Sequence, residues 1–202
     1  DGHTTNPNLR GIAAIRTELW EYLRQQPSLD RTLVGPCCIC NAIVIVRSEG
    51  ALAEFIANAS QNLLGLPQET VLRIMSCLPA EMEARQDLTA SQVREGLQIH
   101  IEAALDMIRK SLITNENRPS VVMAAYQALQ IWIEISHASL TQINTPTYGG
   151  PHAILPAVIQ LLSSSSNSGS DEYNELTLQS AARALMACLL YTSDAADDPA
   201  SV

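Results

Sequence analysis

The residues best equipped for chemistry are three cysteines crowded at Cys37, Cys38 and Cys40. Thiolates hold zinc in tetrahedral sites, but on a helix these spacings send the side chains in diverging directions. No second ligand pair stands in the sequence to close such a site, so buried thiols are the expectation. Four histidines, His3, His100, His137 and His152, are scattered, and no HExxH pair seats a catalytic metal. Each reads as a surface or loop histidine. A covalent nucleophile needs an activating base and an oxyanion site, and neither a GxSxG elbow nor a Cys-His signature is present. Gly149-Gly150 lacks the lysine and flanking spacing of a phosphate loop. Glu18, Glu21, Glu81 and Glu83 read as solubilising acids on exposed helices. No catalytic residue, metal or cofactor is expected.

Charge narrows the partners. Twenty-one acids against 12 bases give a formal net charge of −9, which disfavours phosphate backbones and suits either basic protein partners or simply solubility, the commoner role of such a charge. The longest basic cluster, Arg109-Lys110, suits a solvated helix end. No stretch reaches the roughly 18 apolar residues of a membrane span, and Ile39 to Val46 is far shorter. The chain opens on Asp1-Gly2-His3 with no charged-then-apolar leader, which reads as a truncated start. Its 5 cysteines, an odd number in a chain of 202 residues, fit reduced thiols in an intracellular protein.

The elements that must position any surface are helical. Hydrophobic residues make up 47% of the chain but aromatics only 4%, so the core is aliphatic and favours packed helices over a β-sandwich. Leu9, Ile12, Ile15, Leu19, Trp20 and Leu23 mark one stripe of a helix from about Asn8 to Gln26, ended by Pro27. Leu29 to Arg47 is apolar almost all round, as a helix buried between neighbours would be, with a kink at Gly35-Pro36. Its run Ile43 to Val46 also fits a strand.

Leu52, Phe55, Ile56, Leu63 and Leu64 resume the helical pattern until Gly65-Leu66-Pro67. Val71, Leu72, Ile74, Met75 and Leu78 then define a helix that Pro79 is expected to end. After a polar loop from Ala80 to Thr89, Ser91 to Leu112 reads as one long helix of about six turns. Pro119 opens its partner, with Val122, Ala125, Tyr126, Leu129 and Ile133 on one face. Asn144 to Pro151 and Ser163 to Ser170 read as loops on either side of a helix from Ile154 to Leu162. Asp171, Glu172 and Glu175 load acids into the first turn of a last helix. About four antiparallel helix pairs, each too thin to bury its own apolar faces, predict an all-α fold, an α-α superhelix of the HEAT or armadillo kind.

This order of segments resembles the importin-β superfamily, in its transportin-SR and importin-thirteen branch. The resemblance rests on Leu9 to Leu23 (LRGIAAIRTELWEYL), the apolar helix to Val46, Phe55 onward, and above all Leu72 to Met82 (LRIMSCLPAEM). In that branch a helix ending in a similar leucine-proline-acidic run is followed by a polar loop, a long helix and a helix bearing a tryptophan near its end, here Trp132. The match runs from about Leu9 to Ala187, read as a fragment of a HEAT-repeat solenoid. The resemblance implies a nuclear transport receptor that shuttles between cytoplasm and nucleus. Its partners would be a protein cargo of basic character, the GTPase Ran and nucleoporins. In this superfamily the second helices line the concave face, which makes Glu69, Arg73 and Glu134 candidate partner contacts. A HEAT scaffold or adaptor outside nuclear transport is the alternative, and an enzyme would need an active site outside this chain.

Cys188 to Asp197 (CLLYTSDAAD) resembles the in-frame translation of a sequencing adapter. Residues 188–202 are accordingly expected to be a non-native tail, and Asp194, Asp197 and Asp198 are not read as a metal site.

Overall fold

The computed structural model describes residues 7–25, 31–61, 63–115, 118–138 and 172–193. These are all-α, with no strand among them. The helices are α1 (Pro7–Gln25), α2 (Arg31–Arg47), α3 (Ala51–Ser60), α4 (Gln68–Glu83), α5 (Ala90–Gln98), α6 (Ile101–Thr114), α7 (Pro119–Ser136) and α8 (Glu172–Ser193). Ile43 to Val46 is helical, so the strand alternative for that run is excluded. The expected Ile154–Leu162 helix, its two flanking loops, His3, His152 and residues 194–202 lie outside the described residues, while α8 itself continues past Ala187 to Ser193.

Packing sorts the helices into two layers. One is the row α2, α4, α7 and α8, in which each helix leans chiefly on the next. The other holds α1, α3 and α6: α1 rests on α2, α3 on α6 and α2, and α6 on α7. This is helix-on-helix packing consistent with an α-α superhelix. The apolar faces explain why. Leu72, Ile74, Met75 and Leu78 of α4, and Leu129, Trp132 and Ile133 of α7, are all fully buried in one core with Phe55 and Ile108. Each such side chain contributes roughly 1.5–3 kcal/mol by leaving water, and no single helix could bury both of its flanks alone.

Polar side chains then fix the register between layers. Arg24 of α1 donates from Nε (2.9 Å) and Nη2 (2.8 Å) to the Leu64 carbonyl in the turn after α3. Beside it, Trp20 meets Phe55 edge-on with ring centroids 6.3 Å apart. Gln68 Nε2 donates to Ser111 Oγ at 2.6 Å, tying the start of α4 to α6. Arg85 Nη1 donates to the Val46 carbonyl at 2.7 Å, tying the chain beyond α4 to the end of α2.

Three boundaries differ from the expectations. α4 does not stop at Pro79 but runs on to Glu83. Proline removes the donor for the carbonyl four residues back, here Met75, and that carbonyl accepts from Trp132 Nε1 at 2.9 Å instead. The helix therefore continues without a buried orphan acceptor. The expected single helix from Ser91 to Leu112 is two, α5 and α6, separated at Ile99 and His100. Ile99 is 78% exposed, while Val93, Leu97, Ile101, Leu105, Ile108 and Leu112 all stay buried across the break. α3 ends at Ser60, so Leu63 and Leu64 lie in the following turn, where Gly65 takes the left-handed φ of +63°.

Candidate partner-binding surface

The row α2, α4, α7 and α8 leaves one incompletely covered stripe on α4 and another on α7. On α4 it comprises Glu69, Arg73, Ser76 with its neighbour Cys77, Ala80 and Glu83, recurring every three or four residues. On α7 it comprises Met123, Gln127, Gln130 and Glu134 at the same spacing. Such a spacing keeps all members on one face. The opposite faces of the two helices carry the buried residues of the core, Leu72, Met75 and Leu78 on α4 and Leu129, Trp132 and Ile133 on α7.

Two of the three candidate contacts are brought together. Arg73 donates to the same Glu69 oxygen from Nη2 (2.9 Å) and Nε (3.1 Å) across one helical turn, and both side chains are about one-third exposed. Glu134 accepts from Gln130 Nε2 at 2.9 Å, again one turn away. It does not join the Glu69–Arg73 pair. Glu134 shares a cleft with Glu83 at the far end of α4, and 14 residues of helix separate Glu69 from Glu83, about 21 Å at 1.5 Å per residue.

The cysteines divide by helical angle. Cys38 is buried against α4, its Sγ 4.0 Å from the Thr70 carbonyl, whereas Cys37 is half-buried and Cys40 exposed. The expectation of buried thiols therefore holds for Cys38 and fails for Cys40, because positions two apart on a helix point some 200° apart. Burial pushes the Cys38 thiol up to about 12, with Cys77 nearby adding to the shift. Burial raises Cys77 as well. Among the described residues no group of histidines, cysteines and carboxylates could hold a metal ion, and no helix is long and apolar enough to cross a membrane. His100 sits half-exposed between α5 and α6, and His137 is exposed at the left-handed C-cap of α7. Glu18 and Glu21 are exposed on α1, and Glu81 is half-buried on α4.

Sequence reasoning missed Glu83 as part of this surface. No local signal marks it, because its place beside Glu134 depends on how α4 and α7 pack. Compared with protein families, curated proteins and solved structures, the chain finds no match in any of the three.

Proposed function

We propose that this chain is a segment of a nuclear transport receptor, which holds a protein cargo on the row of helices α2, α4, α7 and α8 and releases or binds it according to the nucleotide state of Ran. The observation that carries this reading is the row α2–α4–α7–α8, with partly exposed polar stripes on its two central members. A surface of that kind is long, shallow and polar, which fits contact with a folded protein better than enclosure of a small substrate. The segment order from Leu72-Arg73-Ile74 through Trp132 supports the same reading, as does the net charge of −9. Nucleoporins would be met during shuttling between cytoplasm and nucleus, and basic cargo would suit the acidic surface.

The test uses the complete protein that contains this chain, immobilised and offered Ran locked in its GTP or GDP form. Retention of the GTP form alone is expected. Equal retention of both, or of neither, would remove the transport reading and leave a scaffold that binds other proteins.

A further inference from the structure

Among the three cysteines of α2, one pair stands within reach of a bond. Around the helix Cys37 and Cys38 are about 100° apart and Cys38 and Cys40 about 200°, but Cys37 and Cys40, three positions apart, come round to within about 60°. At that spacing their Cα atoms lie about 5 Å apart, inside the roughly 4.4–6.8 Å that a disulfide spans. Their Cβ atoms start about 5–6 Å apart and must come to about 4 Å, so closure asks the turn around Cys37 to give by roughly 1–2 Å. The sequence supplies that freedom. Pro36, inside α2 and directly before Cys37, has no N–H, so the turn leading to Cys37 is one hydrogen bond short. Gly35 has open space where a Cβ would stand. The two thiols already feel one another: burial raises Cys37, and Cys40 adds to the shift. Access separates the three, because Cys40 is exposed and Cys37 half-buried, whereas Cys38 is 1% exposed and faces the Thr70 carbonyl on α4.

We propose that Cys37 and Cys40 form a reversible oxidation site, which hydrogen peroxide converts to a disulfide within α2 while Cys38 stays a thiol. Peroxide meets Cys40 first, because that side chain stands in solvent. Oxidation there gives a sulfenic acid, Cys40 S–OH, and releases one water. The Cys37 sulfur then attacks the Cys40 sulfur, the S–S bond forms, and the hydroxyl leaves with the Cys37 proton as a second water. Two thiols have given up two electrons and two protons, and one peroxide has taken them. Bridging also spares Cys40 the further step to a sulfinic acid, which thiols do not reverse. The site goes beyond the transport reading and does not require it, because it involves α2 alone.

The test is peptide mapping of the full chain after hydrogen peroxide, with the remaining thiols blocked by iodoacetamide. Trypsin cuts after Arg31, Arg47, Arg73 and Arg85, which puts the three α2 cysteines in the peptide 32–47 and Cys77 in 74–85. The peptide 32–47 is expected lighter by two hydrogen atoms and with a single blocked cysteine, and dithiothreitol should restore all three thiols. Without peroxide, Cys40 should be blocked at least about tenfold faster than Cys38, as exposure dictates. Cys37→Ser and Cys40→Ser should each lose the bridge, and Cys38→Ala should keep it. Cys40→Ser alters an exposed side chain, so its circular dichroism should match that of the unmodified chain. A bridge that survives Cys40→Ser, a bridge that needs Cys38, a link from 32–47 to 74–85, or passage of Cys40 to a sulfinic acid without bridging would each overturn the proposal.

Discussion

The Trp132 indole N–H donates to the Met75 carbonyl at 2.9 Å, the acceptor that Pro79, four residues further along α4, leaves without a helical donor. Proline and tryptophan thus complete one another across the α4–α7 interface. Each solves a problem the other poses, because a buried indole N–H also needs an acceptor. Trp132→Phe should destabilise the chain by about 1–3 kcal/mol, the cost of a buried polar group left unpaired. Pro79→Ala restores a backbone donor to Met75, so the same tryptophan substitution should cost less in that background. Urea unfolding of the two single variants and the double variant checks this, and strict additivity would contradict it.

Asn41 is fully buried on α2. Its Nδ2 donates to the Cys37 carbonyl at 2.9 Å, but its Oδ1 has no partner. Asn41→Leu should leave stability unchanged or raise it by up to about 1 kcal/mol, because the unpaired oxygen goes with the amide. Asn41→Asp should be strongly destabilising at neutral pH, since it puts a charge where one lone acceptor is already unmet. Thermal unfolding of the two variants at pH 7 separates these outcomes.

Stability should plateau near neutral pH and fall on both sides. Burial lowers His100 from its ordinary value of 6.5, so the unfolded chain binds more protons just below that pH and stability drops as pH falls through it. Burial raises Cys38 from 9.0 to about 12 and Tyr126 from 10.0 to about 12. Their contribution is complete below pH 9 and is lost as pH rises towards 12, because the unfolded chain releases those protons first. Denaturant midpoints from pH 5 to 11 trace the curve. Cys38→Ala should flatten its alkaline limb.

Arg24 is the main polar tie between α1 and the turn after α3. It also stacks 6.0 Å over the Trp20 ring. Arg24→Met keeps the stem and removes both hydrogen bonds. Amide exchange within α1 should accelerate by about an order of magnitude, matching loss of a charge-assisted bond, with little change in α7. Uniform acceleration across all helices would show that α1 does not open as a separate unit.

Periodicity made most of the helices legible. Leu19, Trp20 and Leu23, or Leu129, Trp132 and Ile133, declare a buried face because helical spacing alone puts them there. What escaped was settled by contacts between distant segments. Pro79 looks like a stop signal locally, and only Trp132, 53 positions later, removes the reason to stop. The break at Ile99 and His100 was invisible because Val93, Leu97, Ile101 and Leu105 keep their four-residue spacing through it. The Glu69–Arg73 pair was readable as an i,i+4 pair. The meeting of Glu83 with Glu134 was not, since it depends on how α4 and α7 are set side by side.

The proposed transport function has the stripes on α4 and α7 meet a partner protein. Its most direct test places a photo-crosslinking residue at Ser76 or Gln127, and in a control at Ala57 on exposed α3 surface, in the complete protein within cells. A cargo-holding surface predicts adducts from Ser76 and Gln127 to a defined protein, whose yield changes when GTP-locked Ran is supplied, and none from Ala57. Equal labelling from all three positions, or adducts indifferent to Ran, would contradict it.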